Sequence, residues 1–347
     1  MTTEATAPAF QRVGLGASFR LPVRGRRFLA GSAHESFPDS VPDANGMIPA
    51  FAVADPASSG LTAAVRELIG ATLPASGGLL LRGLPLTGKP GFERLVADLG
   101  YPPMGYRGGI AVRRNDTGTA LATSDEDPRI TLSPHNEMAY LSDHPRKVFF
   151  YCETAAGEGG EVPVNDIRET GRILPEGLRA EFAERGVRYH RRLARTATAG
   201  AMGWTETFGT EDKDDVAEHL AASGHVFRWG PGDELHYHYR RDAFTTHPET
   251  GERLWFNQIT ELHSSYWRAH PDFPADLPDH AYPATTSYGD GEPIDEDTIA
   301  FLRGLLWRTT HAVRMRPGDV LVLDNQVLQH GRFAFTGPRR HFVSLTR

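Results

Sequence analysis

The sequence predicts a mainly β fold with flanking helices, a double-stranded β-helix (jelly roll) in a single domain. From about residue 110 onward, short strand-like runs (KVFFYCET, EVPVND, RLWFNQIT, DVLVLDN, RRHFVSLT) alternate with Gly, Pro and Asp turns. No internal repeat or low-complexity linker divides the 347 residues, a length one large domain can hold. Residues 1 to about 45 read as an N-terminal arm with a short strand or two. The jelly-roll body is expected over 46–347, with an insert at about 170–290 lining the site. Apolar spacing of three and four in GLTAAVRELIGAT predicts a helix over 60–72. GGLLLRGLPL follows as a buried strand, and PGFERLVADLG as a second helix with Pro90 at its start. Further helices are expected near 176–185, 211–222 and 295–307, the last capped by Asp295.

The chain is 39% hydrophobic and 23% charged, ordinary for a soluble globular protein. Thirty-seven basic against 44 acidic residues give a formal charge of −7, which argues against a general nucleic-acid binder. The single cysteine, Cys152, cannot form an internal disulfide. No signal-peptide pattern opens the chain, and no apolar run approaches the roughly 20 residues of a membrane helix. A cytoplasmic location without membrane association is therefore expected.

The stretch SPHNEMAY places His135 and Glu137 two residues apart. On a strand, such residues share a face and their donor atoms can meet one ion. Two ligands hold a catalytic metal poorly. Two histidines and one carboxylate bind ferrous iron on one side and leave positions open for substrates. The best third ligand is His330, which follows the apolar run VLVLDN, 330 − 137 = 193 residues after Glu137. Only a closed sheet could join residues so far apart. Arg339 and Arg340 open the next strand. An arginine fork binds a carboxylate bidentately, so an organic-acid co-substrate such as 2-oxoglutarate fits beside the metal.

PHNEMAY, GEGGEVPVND, HPETGERLWFNQ, YGDGEPI and DNQVLQHGRFAFTGPRRHFVSL together resemble the taurine dioxygenase/clavaminate synthase superfamily of Fe(II)- and 2-oxoglutarate-dependent oxygenases. The nearest likeness is to the branch that hydroxylates amino acids in natural-product pathways. It runs from about 110 to the last residue. It implies that His135, Glu137 and His330 bind iron, that O2 is a co-substrate, and that Arg339 or Arg340 holds 2-oxoglutarate. The family's Gly-Pro-Arg pattern favours Arg339. Many members have threonine after GGE, where this chain has Val162; either another donor, Thr131 or Asn136, replaces it, or the co-substrate sits slightly differently. Glu137 also separates the chain from the halogenases of the superfamily, which lack that carboxylate. The resemblance implies hydroxylation of an unactivated C–H bond, with desaturation or cyclisation as alternatives.

The substrate is expected to be an amino acid, an aminoacyl group, carrier-protein-bound in one version, or a small natural product. Oligomeric state is open. GDELHYHYRRDAF reads first as an alternating polar strand of the insert. Its functional version has Arg240 or Arg241 meeting a substrate carboxylate. Asn257, in the core-like WFNQ, is a further candidate, as is Asn136. His144 and His311 receive no role. A zinc hydrolase is the rival enzyme, but H-E-x-x-H is missing and the arginines would lack a purpose. A non-catalytic jelly-roll binding protein is the rival outside enzymology.

Overall fold

The computed structural model describes residues 9–347 apart from 17, 107, 111–117, 124–125 and 199. Two sheets carry the architecture. The larger has seven strands in the order Phe10–Val13, Ala50–Val53, Gly78–Arg82, Val320–Asp324, Lys147–Thr154, Arg340–Thr346, Ala120–Ala122. The smaller has four: Thr310–Val313, Val162–Asp166, Leu328–Arg332 and Leu132–His135. Neighbouring strands run antiparallel except Ala50–Val53 and Gly78–Arg82, whose parallel pairing follows a crossover through the helix Leu61–Ser76.

The central strands of the large sheet are apolar throughout because both faces are covered. Val148, Phe150, Cys152, Leu321, Leu323, Val343 and Leu345 share one core with Val162, Val164 and Leu328 of the small sheet. The alternate residues Phe149, Tyr151, Val320, Val322 and Phe342 pack with Val65, Ile69, Leu73 and Phe92, from two helices on the other side. Period-two alternation thus feeds two separate cores.

The first helix outlasts its expected end. It passes through Pro74, whose ring is exposed, and stops where Gly77 turns left-handed at φ 69° and bonds back to the Leu73 carbonyl. The second begins two residues before Pro90, at Gly88. Glu176–Arg185 coincides with its prediction, Lys213–Ala222 begins two residues late, and Glu296–Arg308 begins after Asp295, whose side chain accepts the Thr298 N–H at 2.7 Å.

A third sheet, Val226–Trp229, Leu235–Arg241, Val187–Leu193 and Ala284–Tyr288, encloses a further core with Phe182, Trp204 and Trp255. The N-terminal segment contributes to the body: Leu21, Val23, Leu29, Phe37 and Val41 pack with Leu306, Trp307 and Phe333, the Phe37 and Trp307 ring centroids 5.5 Å apart.

Candidate metal and co-substrate site

The strand Leu132–His135 ends at His135, and Glu137 lies in the turn that follows. The pair therefore converges through a turn and not through the shared face of one strand. Asn325 makes the turn: its side chain accepts the Glu137 N–H at 2.7 Å and donates to the carbonyls of Glu137 at 3.0 Å and Pro145 at 2.8 Å. Asn136 in turn donates to the Asn325 carbonyl at 2.6 Å. The next residue, Met138, is held at φ 58°, a strained conformation for a side chain of that size.

His330 lies at the centre of Leu328–Arg332 and pairs in register with His135 on one side and Val164 on the other. Only glycine fits after it, since a Cβ on Gly331 would sit 2.3 Å from the Leu132 carbonyl oxygen. The His330 Nε2 is 3.4 Å from Glu137 Oε2 and the two imidazole centroids are 4.7 Å apart. One donor atom from each of the three residues falls within 4.8 Å of the others, the single such cluster among the described residues. His135 Nδ1 is 2.9 Å from the Ser133 carbonyl, which selects the tautomer leaving Nε2 free as a ligand. Burial, then the neighbouring His330, holds the His135 imidazole below its usual pKa and therefore neutral.

The cluster opens on a cavity of about 140 Å³. Arg339 lines it; Arg340 points out to an ion pair with Glu153 at 3.1 Å. The Arg339 Nε donates to the Gly160 carbonyl at 3.2 Å, and Nη2 meets Nδ1 of buried His341 at 3.0 Å. Thr123 Oγ1 is 3.5 Å from Nη1. No carboxylate of the described residues pairs with this guanidinium. Its pKa is pushed down to about 9 by burial and then by Arg332. Burial and Arg339 together keep His341 neutral, so it can accept the bond. Val162 also lines the cavity, as an apolar wall that can donate nothing.

The remaining candidates lie elsewhere. Thr131 Oγ1 has its one proton spent, donating to the Arg24 carbonyl, and accepts the Ala334 N–H, both at 2.8 Å. Asn136 is wholly buried and, like Thr131, does not line the cavity. Asn257 donates to the Ala243 carbonyl at 3.0 Å and accepts from the Ile259 N–H at 3.2 Å. Arg240 binds the Arg185 carbonyl and Asp242, and Arg241 stacks on Tyr239. Alternation on Leu235–Arg241 turns Tyr237 and Tyr239 inward and leaves His236, His238 and Arg240 on the outer face. None of Asn136, Asn257, Arg240, Arg241 and Thr131, expected at the substrate or co-substrate, lines the metal cavity. Sequence reasoning missed Asn325, His341, Thr123, Gln258 and Glu261. Asn325 and His341 stand inside quoted motifs but had no metal-ligand or anion-binding spacing to mark them.

The family described as "Taurine catabolism dioxygenase TauD, TfdA family" matches residues 48–346. The chain belongs to this family. Like its TauD/TfdA relatives, it is an Fe(II)- and 2-oxoglutarate-dependent oxygenase that consumes dioxygen. It is 30% identical over 276 residues to the dapdiamide synthesis protein DdaC of Enterobacter agglomerans, covering 79% of this chain and 83% of DdaC. It is 26% identical over 331 residues to the clavaminate synthase-like protein At3g21360 of Arabidopsis thaliana, covering 90% and 94%. Its fold resembles that of PvcB from Pseudomonas aeruginosa, with TM-score 0.50, 13% identity, and 95% of this chain and 91% of PvcB covered. The donor set of this TauD/TfdA member suits its iron: two imidazoles and a carboxylate, with a half-buried cation close by for an acid. No described helix is long and apolar enough to cross a membrane.

Proposed function

We propose that the protein oxidises, by hydroxylation, an unactivated C–H bond of an amino acid, aminoacyl group or small natural product. His135, Glu137 and His330 would hold the ferrous ion, and Arg339 the far carboxylate of 2-oxoglutarate. The observation that carries this reading is Arg339 itself, a half-buried guanidinium without a carboxylate partner among the described residues, in the same cavity as the His-Glu-His cluster. When bound, iron and 2-oxoglutarate supply the oxidising power, releasing succinate and CO2.

The chain's own residues do the rest. Asn325 orients the Glu137 backbone, and the Ser133 carbonyl sets the His135 tautomer. His341 and the Gly160 carbonyl aim the Arg339 fork, with Thr123 Oγ1 beside it as a hydroxyl that the Val162 side chain cannot offer. Phe150, whose ring meets His330 edge-on at 4.9 Å, keeps water from that ligand. Leu262, Tyr266 and Trp267, from the 170–290 insert, wall the side on which the substrate would be oriented. We read the two principal sheets as the two halves of a jelly roll in one domain over 46–347, with 1–45 as an arm laid against it. DdaC's part in dapdiamide synthesis favours a biosynthetic substrate, free or carrier-bound.

Anaerobic loading with Fe(II) followed by 2-oxoglutarate and air tests the reading. The expected result is one iron per chain and iron-dependent succinate release, lost in His135→Ala with the fold retained. Failure to bind iron stoichiometrically, or unchanged turnover in that variant, would sink it.

A further inference from the structure

The cavity holds three glutamates, and two are accounted for. Glu137 belongs to the metal cluster, and Glu126 pairs with His270 Nε2 at 3.0 Å. The third, Glu261, lines the cavity with no Lys or Arg among the described residues in ion-pair contact. It sits on the short helix Ile259–Leu262. Thr260 Oγ1 donates to its Oε1 at 2.5 Å, leaving Oε2 for a ligand.

The helix is fixed firmly to the metal loop. Gln258 Nε2 donates to the Asn136 carbonyl at 2.9 Å, between the two neighbouring metal-ligand candidates, and the Gln258 N–H donates to the Tyr189 oxygen at 3.1 Å. Thr286 Oγ1 donates to the Ile259 carbonyl at 2.9 Å. Arg303, behind the helix, spends its Nη groups on the Thr260 carbonyl and Ser265 Oγ, and not on the Glu261 carboxylate. The surrounding wall is aromatic and apolar, with Tyr140, Leu262, Tyr266 and Trp267. Such rings favour a cation over their faces.

A carboxylate that makes no direct ion pair in a mostly apolar cavity is expensive to keep charged; Arg303 nearby offsets part of that cost, and a cationic ligand would supply the rest. We propose that Glu261 anchors a protonated nitrogen of the substrate, so that the substrate class is cationic amines, and that this contact sets which C–H bond faces the iron. The proposal rests on the oxygenase reading above and narrows its substrate. Burial pushes the Glu261 carboxyl up from its usual range, the expected state of an acid whose partner arrives with the ligand.

The test uses the full chain loaded anaerobically with Fe(II) and 2-oxoglutarate, whose charge-transfer absorption responds to substrate near the metal. The probes are the proteinogenic amino acids and linear diamines, each as free amine and as N-acetyl derivative. Free amines are expected to perturb the band and to stimulate succinate release in air, with the N-acetyl partners at least tenfold weaker. Glu261→Gln keeps the shape but not the charge and should weaken the same amines about 10–100-fold, abolishing their advantage over the N-acetyl forms. Glu261→Asp should retain that advantage. Amines that bind Glu261→Gln as tightly as wild type, N-acetyl forms that bind wild type equally well, or a panel without any responding amine would overturn the proposal. The comparison of amine with N-acetyl form needs only the wild-type protein, so a misfolded variant cannot blur the result. If 2-oxoglutarate produces no band at all, the oxygenase reading falls as well.

Discussion

Arg339 and Arg340 are adjacent in sequence and opposite in surroundings, one half-buried and lining the metal cavity and the other with its side chain 65% exposed beside Glu153. Replacing each by leucine separates them. Arg339→Leu removes a charge-assisted fork, worth roughly 1.5–3 kcal/mol per charged hydrogen bond, and should raise the KM for 2-oxoglutarate about 10–100-fold. Arg340→Leu loses a surface ion pair worth about 0–1 kcal/mol and should leave that KM within about twofold. Equal effects in the two variants would contradict the assignment. At this scale the metal-ligand candidates and the arginine pair were legible, because imidazole, carboxylate and guanidinium chemistry is specific and their motifs are ordered. The supporting residues were not. Asn325 acts through three bonds to backbone groups of residues 137 and 145, and such partners leave no pattern in a sequence.

Among the elements, Leu328–Arg332 carries the most demanding geometry. It brings His330 opposite His135 and then breaks register before Arg332. Gly331→Ala would drive a methyl group against backbone that cannot move aside cheaply. A loss of about 1–3 kcal/mol in unfolding free energy is expected, together with weaker iron retention because the neighbouring ligand shifts. Denaturant unfolding and metal analysis of the purified variant check both; wild-type values in each would refute the close approach. Periodicity foresaw the central strands Gly78–Arg82, Lys147–Thr154, Val162–Asp166, Val320–Asp324 and Arg340–Thr346 and five helices, but not Leu328–Arg332 or Val187–Leu193. RLWFNQIT, expected as a strand, is one only at Arg253–Leu254 and enters the helix Ile259–Leu262. The helix that runs through Pro74 keeps Leu73 in the core, and its end is set by Gly77. Arg240 and Arg241 lie away from the metal cavity, a placement the sequence could not show because alternation says which residues share a face but not which face looks at the metal.

On the scale of the whole molecule, buried histidines make stability depend on pH. Burial, assisted by nearby cations, holds His190, His225 and His263 down to about 4. In the unfolded chain these rings titrate near 6.5. Between those values the unfolded state binds more protons than the folded one, so stability rises with pH across the window. It should be full above about pH 6.5 and decline as pH falls toward 4, by up to about 1.4 kcal/mol per unit for each ring. Denaturant midpoints of the metal-free protein at pH 7.5, 6 and 5 measure the slope; a flat profile would show that these imidazoles are solvated.

The pairing of His330 with His135 also governs when the protein becomes reactive. A ribosome making about 5–20 residues per second needs about 10–40 s to pass from Glu137 to the far histidine, 193 residues on. Throughout that interval the emerging polypeptide carries only the first two of its three ligand candidates. Iron capture, and with it any oxygen activation beside unfinished chain, must wait until the sheet has closed.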